Sequence, residues 1–201
     1  MINNTYFRPF NFRPVIAVST LRATHRTAYA SYCYIRRDPD ADMYGPMPRE
    51  WGARGDLVAT GRIHPAQTPA WARSGPKIWK DADASVTPHH LTEAAAFHLV
   101  LTLPPSMDVG EWEDLIETFG TEHIANQGMI ADWAIHYKPE EIAPHAHLLV
   151  TARSWRSDRN PGRKHQRWLA SATAVRAADL GWIDISGLRP SPSFPAPTVD
   201  Q

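Results

Sequence analysis

The segment P-H-A-H-L-L-V-T at 144–151 decides the fold of this sequence. Beyond its proline the segment is largely apolar, which predicts a strand that begins at His145. Side chains two positions apart on a strand share a face, so His145 and His147 point one way and the apolar residues that alternate with them point the other way, toward packed helices. A second predicted strand, I-A-D-W-A-I-H at 130–136, precedes this one after a short linker. If the two strands pair as a hairpin, His136 lies beside the other two histidines.

Three imidazole rings that converge at one strand end are typical of a divalent-metal site with positions left open for a substrate. The spacing alone does not separate this interpretation from ordinary polar residues on a half-buried sheet, and both stay open at this point. Asp132 shares the face of His136 but lies about 13 Å away at ~3.3 Å per residue, so we exclude it as a direct ligand. His98, inside a further predicted strand at 97–103, is either a hydrogen-bond partner of a metal-binding histidine or an ordinary sheet histidine.

The rest of the chain alternates short strands with helices. Further strands are predicted at 15–18 and 57–60, and helices at 23–37, between Trp79 and Ala96, from Asp108 to Gly128 and at 164–180. The helix at Asp108 carries a capping box, because Glu111 follows three residues later. Gly181 is expected to end the last helix.

Length and composition indicate one folded domain. Of 201 residues, 43% are hydrophobic and 21% are charged, so a packed core is possible and overall disorder is excluded. Lys+Arg and Asp+Glu both number 21, and this net charge of +0 excludes a strongly basic coat or histone-like protein. The single Cys33 excludes a disulfide framework and a cysteine-rich zinc module. We expect a flexible arm at 1–14, one domain at 15–189 and a Pro-rich disordered tail at 190–201.

No apolar run approaches the ~20 residues that are needed to span a membrane. The residues near the N-terminus are too polar, and the apolar run at 15–18 too short, for a secretory signal peptide. A soluble protein of a reducing compartment is therefore expected.

Several segments occur in the order typical of a known family. They are T-A-Y-A-S-Y-C-Y at 27–34, P-A-W-A-R-S-G-P-K-I-W at 69–79, L-T-L-P at 101–104, A-I-H at 134–136 and P-H-A-H-L-L-V-T-A-R at 144–153. Together they resemble the MobA/MobL family of plasmid-mobilisation relaxases, which are HUH endonucleases, over roughly residues 15–185. In HUH enzymes an apolar residue separates two metal-binding histidines, and here that residue is Ala146.

The resemblance implies an α+β fold, a central antiparallel sheet with packed helices, in the relaxase domain at 15–189. It also implies metal-dependent, site- and strand-specific nicking and rejoining of single-stranded DNA at a plasmid origin of transfer, through a 5′-phosphotyrosine intermediate. The implied partners are that DNA, accessory mobilisation proteins and a coupling protein, in the bacterial cytoplasm.

The same resemblance implies site residues. His136, His145 and His147 would bind the metal, and Tyr34 would be the nucleophile. The family implies Mg²⁺ or Mn²⁺ as the metal, while ligand softness also suits Ni²⁺, Co²⁺ and Zn²⁺. The sequence departs from the family because no acidic residue lies between Phe97 and Pro105, where relatives often carry a carboxylate partner for a metal-bound histidine. His98 is the candidate to replace that carboxylate.

Three tyrosines lie on the helix predicted at 23–37, and they cannot all face the metal. At about 100° per residue, Tyr29 and Tyr32 are near neighbours and Tyr34 points about 160° away from Tyr32. The resemblance selects Tyr34. Tyr29 and Tyr32 are interpreted as packing residues, and whether either can replace Tyr34 stays open.

Basic and aromatic side chains near these segments are candidates for phosphate contacts and base stacking. The expected DNA-binding residues are Arg36, Arg37, Lys77, Trp79, Arg153, Trp155, Arg156, Arg159, Arg163 and Lys164. Charge alone equally supports a solvated loop for the basic stretch at 153–167, and packing is the simpler interpretation of any single tryptophan.

Two other functions remain as alternatives. A replication initiator or transposase of the HUH group would use the same chemistry, but those proteins commonly place the tyrosine after the histidines, whereas Tyr34 precedes them here. A non-cleaving DNA-binding accessory relative would hold metal without cutting. A covalent protein–DNA adduct separates the cutting enzymes from the accessory protein.

Overall fold

The structure is a computed structural model that describes residues 10–16, 27–38, 55–86, 94–140, 142–154, 163–164 and 171–188. The strands are β1 (Phe10–Ile16), β2 (Leu57–Ile63), β3 (Ala94–Thr102), β4 (Ala131–Lys138), β5 (Ile142–Thr151), β6 (Arg153–Ser154) and β7 (Arg163–Lys164). The helices are α1 (Ala28–Ile35), α2 (Lys77–Ala84), α3 (Val109–His123) and α4 (Ala172–Ser186), with short 3-10 turns at Ala70–Ala72 and Ala125–Gln127. None of the described helices combines the length and apolarity that a membrane crossing requires.

The described strands form a five-stranded sheet in the order β1-β3-β5-β4-β2, and each neighbouring pair is antiparallel. The predicted α+β class is confirmed. The predicted hairpin is confirmed as well, since β4 and β5 pair with His136 directly opposite His145. β5 lies at the centre of the sheet, which places its histidines away from both edges.

Helices cover both faces of this sheet. Ala146, Leu148 and Val150 of β5 belong to a core cluster with buried residues of α3 and α4 such as Phe119 and Trp182. On the other face, Leu149 belongs to a second cluster with α1 and α2. The alternation along β5 therefore works as expected, and the histidine face is the face that α1 covers.

β1 begins at Phe10, so the expectation of a flexible arm is wrong for residues 10–14. Pro14 lies opposite Phe97 of β3, and β1 is at the edge of the described sheet. An edge strand tolerates proline because its outer side needs no backbone donor. Residues 1–9 and the expected tail at 190–201 lie outside the described residues.

The alanine-rich stretch before Phe97 is strand rather than helix. α2 ends at Ala84 and β3 begins at Ala94, so the predicted continuation to Ala96 is wrong. Ala95 and Ala96 are buried against the second cluster, and this packing overrides the helix propensity of alanine. For the predicted helix at 23–37, α1 begins only at Ala28, and residues 23–26 lie outside the described chain.

The capping box of α3 is confirmed. Asp108 Oδ1 accepts from the Glu111 N–H at 3.0 Å, and the Glu111 carboxylate accepts from the Asp108 N–H at 2.8 Å. The helix nevertheless ends at His123, and Gly128, with φ 88°, closes the 3-10 turn that follows.

Gly181 does not end the last helix. α4 spans Ala172–Ser186, and Gly187 at φ 68° ends it. A Cβ atom at Gly181 would lie 2.4 Å from the ring of His123. Gly181 therefore allows α3 and α4 to approach closely, which a pattern of single-helix stop signals does not reveal.

Candidate metal centre and nucleophile

The paired strands β4 and β5 bring three histidines together on the face that α1 covers. His136 lies opposite His145, and His147 follows two positions along β5. One ligand nitrogen from each ring lies within 4.8 Å of the others. The ring centroids are 4.6 Å apart for His136 and His147 and 5.0 Å apart for His145 and His147. The sequence prediction that these three rings converge is therefore confirmed.

Main-chain carbonyl groups orient two of the rings. His136 Nε2 lies 2.7 Å from the carbonyl oxygen of Ile35, and His145 Nδ1 lies 2.9 Å from that of Ala143. A carbonyl oxygen only accepts, so these ring nitrogens carry the protons. The lone pairs are then on Nδ1 of His136 and Nε2 of His145. Such an outer hydrogen bond is typical of metal-binding histidines.

The third ring is held by another histidine. His98 Nε2, from β3, lies 2.9 Å from His147 Nδ1. With the proton on His147 Nδ1, this ring donates to His98 and keeps its Nε2 lone pair. His98 thus takes the position of hydrogen-bond partner to a histidine of the group, the role for which the sequence analysis named it as the candidate.

Burial keeps two of the histidines neutral. It lowers the pKa of His136 to about 4 and holds the pKa of His147 well below its usual range, with the neighbouring histidines and Arg37 acting in the same direction. Both rings are therefore uncharged at pH 7, and a metal ion would not have to displace a proton from either ligand nitrogen.

The residues present fit a divalent metal ion. Three imidazoles converge, and the second nitrogen of each ring has a hydrogen-bond partner. Asp132 is not part of this group, because its carboxylate accepts from Arg62 and from the indole N–H of Trp79. The histidine group could hold a transition metal and leave coordination positions free for an oxygen ligand.

Helix α1 places one tyrosine over the histidines. The ring centroid of Tyr34 lies 5.5 Å from that of His147 and 6.4 Å from that of His136. Tyr29 and Tyr32 stack on each other at 6.5 Å and are each only 7% exposed, in the second core cluster. The helical geometry that separates Tyr34 from the other two is therefore as predicted.

A carboxylate from α2 fixes the start of α1, and the sequence analysis did not identify it. Asp83 accepts from the N–H groups of Ala28 at 2.7 Å and Tyr29 at 2.9 Å. Burial raises the pKa of Asp83 to about 6, so the group is mostly ionised at pH 7, beside the positive end of the helix dipole. Asp83 lies 55 positions from Ala28, and no local signal links the two.

We expect Asp83→Ala to lower the free energy of unfolding by roughly 2–4 kcal/mol, because two buried N–H groups lose their acceptor. Urea unfolding followed by circular dichroism measures this. Asp81→Ala is the matched control on the same helix. Asp81 pairs with Lys77 near the surface, so its replacement should change stability by less than ~1 kcal/mol. Equal effects of the two replacements would contradict the capping role.

Arg37, expected to contact DNA, is buried and fully engaged within the protein. Its Nε and Nη2 donate to the two carboxylate oxygens of Asp56 at 2.8 and 2.6 Å. Nη2 also lies 2.9 Å from His136 Nδ1, and the guanidinium carbon lies 4.8 Å from the centre of the Tyr34 ring. In this conformation Arg37 is part of the histidine site rather than of a DNA-facing surface.

The other expected DNA-binding residues differ in their burial and contacts. Trp79 is fully buried, so it packs in the core and has no face available for base stacking in this structure. Lys77 lies 4.6 Å from the ring centre of the half-buried Trp71, and Arg36 lies 5.4 Å from that of Tyr32. Arg153 is partly buried and donates to Ser85. Trp155, Arg156 and Arg159 lie outside the described residues, and for Arg163 and Lys164 only the backbone, paired in β7, is described.

A protein-family model matches most of the chain. The model of the MobA/MobL family matches residues 24–181. Conjugal transfer protein TraA of Agrobacterium fabrum is 32% identical over 110 residues, which cover 51% of this chain and 10% of that protein. Probable conjugal transfer protein TraA of Sinorhizobium fredii is 27% identical over 157 residues, which cover 72% of this chain and 14% of that protein. The chain thus spans only a small part of these relatives.

The fold also has a counterpart among solved structures. A structure from work on the molecular basis of vancomycin resistance transfer in Staphylococcus aureus superposes with a TM-score of 0.63 at 19% identity. The match covers 88% of this chain and 89% of the other. The family match spans α1 through β5 and most of α4. The chain belongs to the MobA/MobL family.

Proposed function

We propose that this protein is a relaxase domain that nicks and rejoins one strand of single-stranded DNA at a plasmid origin of transfer. The observation that carries the proposal is the Tyr34 ring, which packs against His136 and His147 of the three converging histidines. Membership of the MobA/MobL family and relatives that are named conjugal transfer proteins support it. Accessory mobilisation proteins and a coupling protein would be further partners.

The histidines His136, His145 and His147 would hold a divalent cation, with Mn²⁺ or Mg²⁺ as the proposed ion. When bound, such an ion would make the scissile phosphorus more electrophilic and stabilise the charge that builds on its oxygens. This help is needed because an ordinary phenol, with a pKa of ~10, is a weak nucleophile at pH 7.

The protein's own groups do the rest. The Tyr34 oxygen attacks the phosphorus and loses its proton, and the 3′-oxygen of the preceding nucleotide leaves and gains one. The products are a 5′-phosphotyrosine bond and a free 3′-hydroxyl. Because one phosphodiester replaces another, the reaction reverses without ATP. Through its hydrogen bond to His147, His98 orients that ring.

An oligonucleotide assay tests the function. The protein is incubated with single-stranded candidate origin sequences and Mn²⁺, and adducts that survive denaturation are resolved on a gel. Label at the 3′ end of the DNA should appear on the protein, whereas label at the 5′ end should leave on the free 3′-hydroxyl fragment. EDTA should abolish the adduct. DNA binding without any adduct across the origin sequences tried would instead favour the non-cleaving accessory role.

A further inference from the structure

The end of helix α1 has an unusual residue in a strained position. The Asp38 N–H donates to the Cys33 carbonyl at 2.9 Å, and the Arg37 N–H donates to the Tyr34 carbonyl at 3.2 Å. These bonds form a Schellman ending, in which the residue at the position of Arg37 is usually glycine. Arg37 has φ 55°, and it is the one non-glycine residue with positive φ in the described chain. Backbone strain of this kind is found mainly at functional sites, where surrounding contacts hold the residue in place.

The side chain of Arg37 is held from three directions. Asp56 binds Nε and Nη2, and both side chains are under 10% exposed, at 6% and 8%. Nη1 donates to the Tyr34 carbonyl at 3.1 Å, and the guanidinium lies over the Tyr34 ring. The planar guanidinium can make these contacts at once because its donors lie in a fixed fork. Arg37 thus fixes both the backbone and the ring of Tyr34.

The remaining contact of Arg37 is with His136, one of the three candidate metal ligands. His136 Nε2–H is committed to the Ile35 carbonyl, so Nδ1 carries the lone pair, and Arg37 Nη2 donates to it at 2.9 Å. Nδ1 is also the one nitrogen of this ring that can bind a metal. A lone pair serves one partner at a time, so Arg37 and a metal ion compete for the same atom.

We propose that Arg37 is a positioning residue that holds Tyr34 over the histidines and covers the metal-binding nitrogen of His136 until a metal ion replaces it there. The inference rests on the proposed function. It predicts opposite effects of Arg37 on two measurements: Arg37 weakens metal binding and promotes strand transfer. A residue with a merely structural role would support both.

The variant Arg37→Gly tests this. Glycine favours the positive φ at the helix end, so the helix ending is kept and the side chain is removed. We expect Mn²⁺ to bind about tenfold more tightly, the size of one lost competing hydrogen bond. The initial rate of adduct formation at saturating Mn²⁺ should fall at least about tenfold, because the Tyr34 ring is no longer fixed. Calorimetric titration of metal-free protein with Mn²⁺ gives the first value and the denaturing gel the second.

Two further variants keep the result interpretable. Arg37→Gly leaves the Asp56 carboxylate buried without its partner, so the double variant Arg37→Gly, Asp56→Asn removes that charge and guards against failure to fold. It should also bind Mn²⁺ about tenfold more tightly. Arg176→Ala removes one positive charge from an exposed position on α4, which packs on the opposite face of the sheet, and should leave the Mn²⁺ affinity unchanged.

The outcomes separate this inference from the function on which it rests. If the unchanged protein binds Mn²⁺ and forms the adduct, but the glycine and double variants bind Mn²⁺ equally or more weakly, competition at His136 is refuted. Tighter binding in the single variant alone would show that Asp56 had become a ligand, which also refutes it. If the unchanged protein neither binds Mn²⁺ nor forms an adduct, the proposed function itself fails.

Discussion

Replacing Tyr34 with phenylalanine is expected to abolish the covalent protein–DNA adduct. The change removes one oxygen and keeps the ring, so the packing over His147 and the contact with Arg37 should persist. Without the oxygen nothing remains to attack phosphorus. The adduct should fall below detection on a denaturing gel, while single-stranded DNA binding and the unfolding midpoint should change little.

The neighbouring tyrosines provide matched controls. Tyr29→Phe and Tyr32→Phe make the same chemical change on the same helix, but both rings lie in the second core cluster. Burial also raises the pKa of Tyr32, so its hydroxyl group loses a proton less readily than an ordinary phenol. Both variants should form the adduct. An adduct that persists in Tyr34→Phe and disappears in Tyr32→Phe would show that the wrong face of α1 has been assigned to the reaction.

The second large effect is expected on metal binding. The double variant His145→Ala, His147→Ala removes two of three ligand nitrogens from the group, so Mn²⁺ affinity should fall by more than ~100-fold, and adduct formation should be lost with it. His98→Ala removes only the partner of His147 and should weaken Mn²⁺ binding by about 10- to 100-fold. Calorimetric titration measures both.

A histidine elsewhere controls for the loss of imidazole. His64 lies just after β2 and bonds to the Pro65 carbonyl, outside the three-histidine group. His64→Ala should therefore leave Mn²⁺ affinity unchanged. Unchanged affinity in the His145, His147 double variant would remove the metal assignment, whatever the activity of the protein.

The histidine convergence was predictable because it depends on short-range rules. Alternation along a strand has a period of two, and a hairpin brings the end of β4 to the start of β5, so His136 and His145 meet once pairing is assumed. The separation of Tyr34 from Tyr32 followed equally from the helical repeat. Both conclusions need only the positions of residues within one element or one hairpin.

The rest of the site depends on contacts that no periodicity encodes. Asp56 reaches Arg37 across 19 positions, and Asp83 reaches the start of α1 across 55. From its charge and its position near Tyr34, Arg37 was predicted to contact DNA. The sequence around Arg37 does not reveal that a buried carboxylate pairs with it. The same limit applies to Trp79, which packs in the second core cluster and donates to Asp132 on another element.

The two ends of α1 are fastened separately, by Asp83 at the first turn and by Arg37 with Asp56 at the last. A helix of eight residues is too short to persist alone in water, so these contacts, together with its packing in the second core cluster, determine its position. The conformational entropy of Tyr34 is then lost when the chain folds, before any DNA arrives. In the proposed reaction, the Tyr34 oxygen and the scissile phosphate therefore react at a high effective molarity once DNA is bound. The 5′ end of the cut strand stays attached to Tyr34, beside the site at which the strand is rejoined.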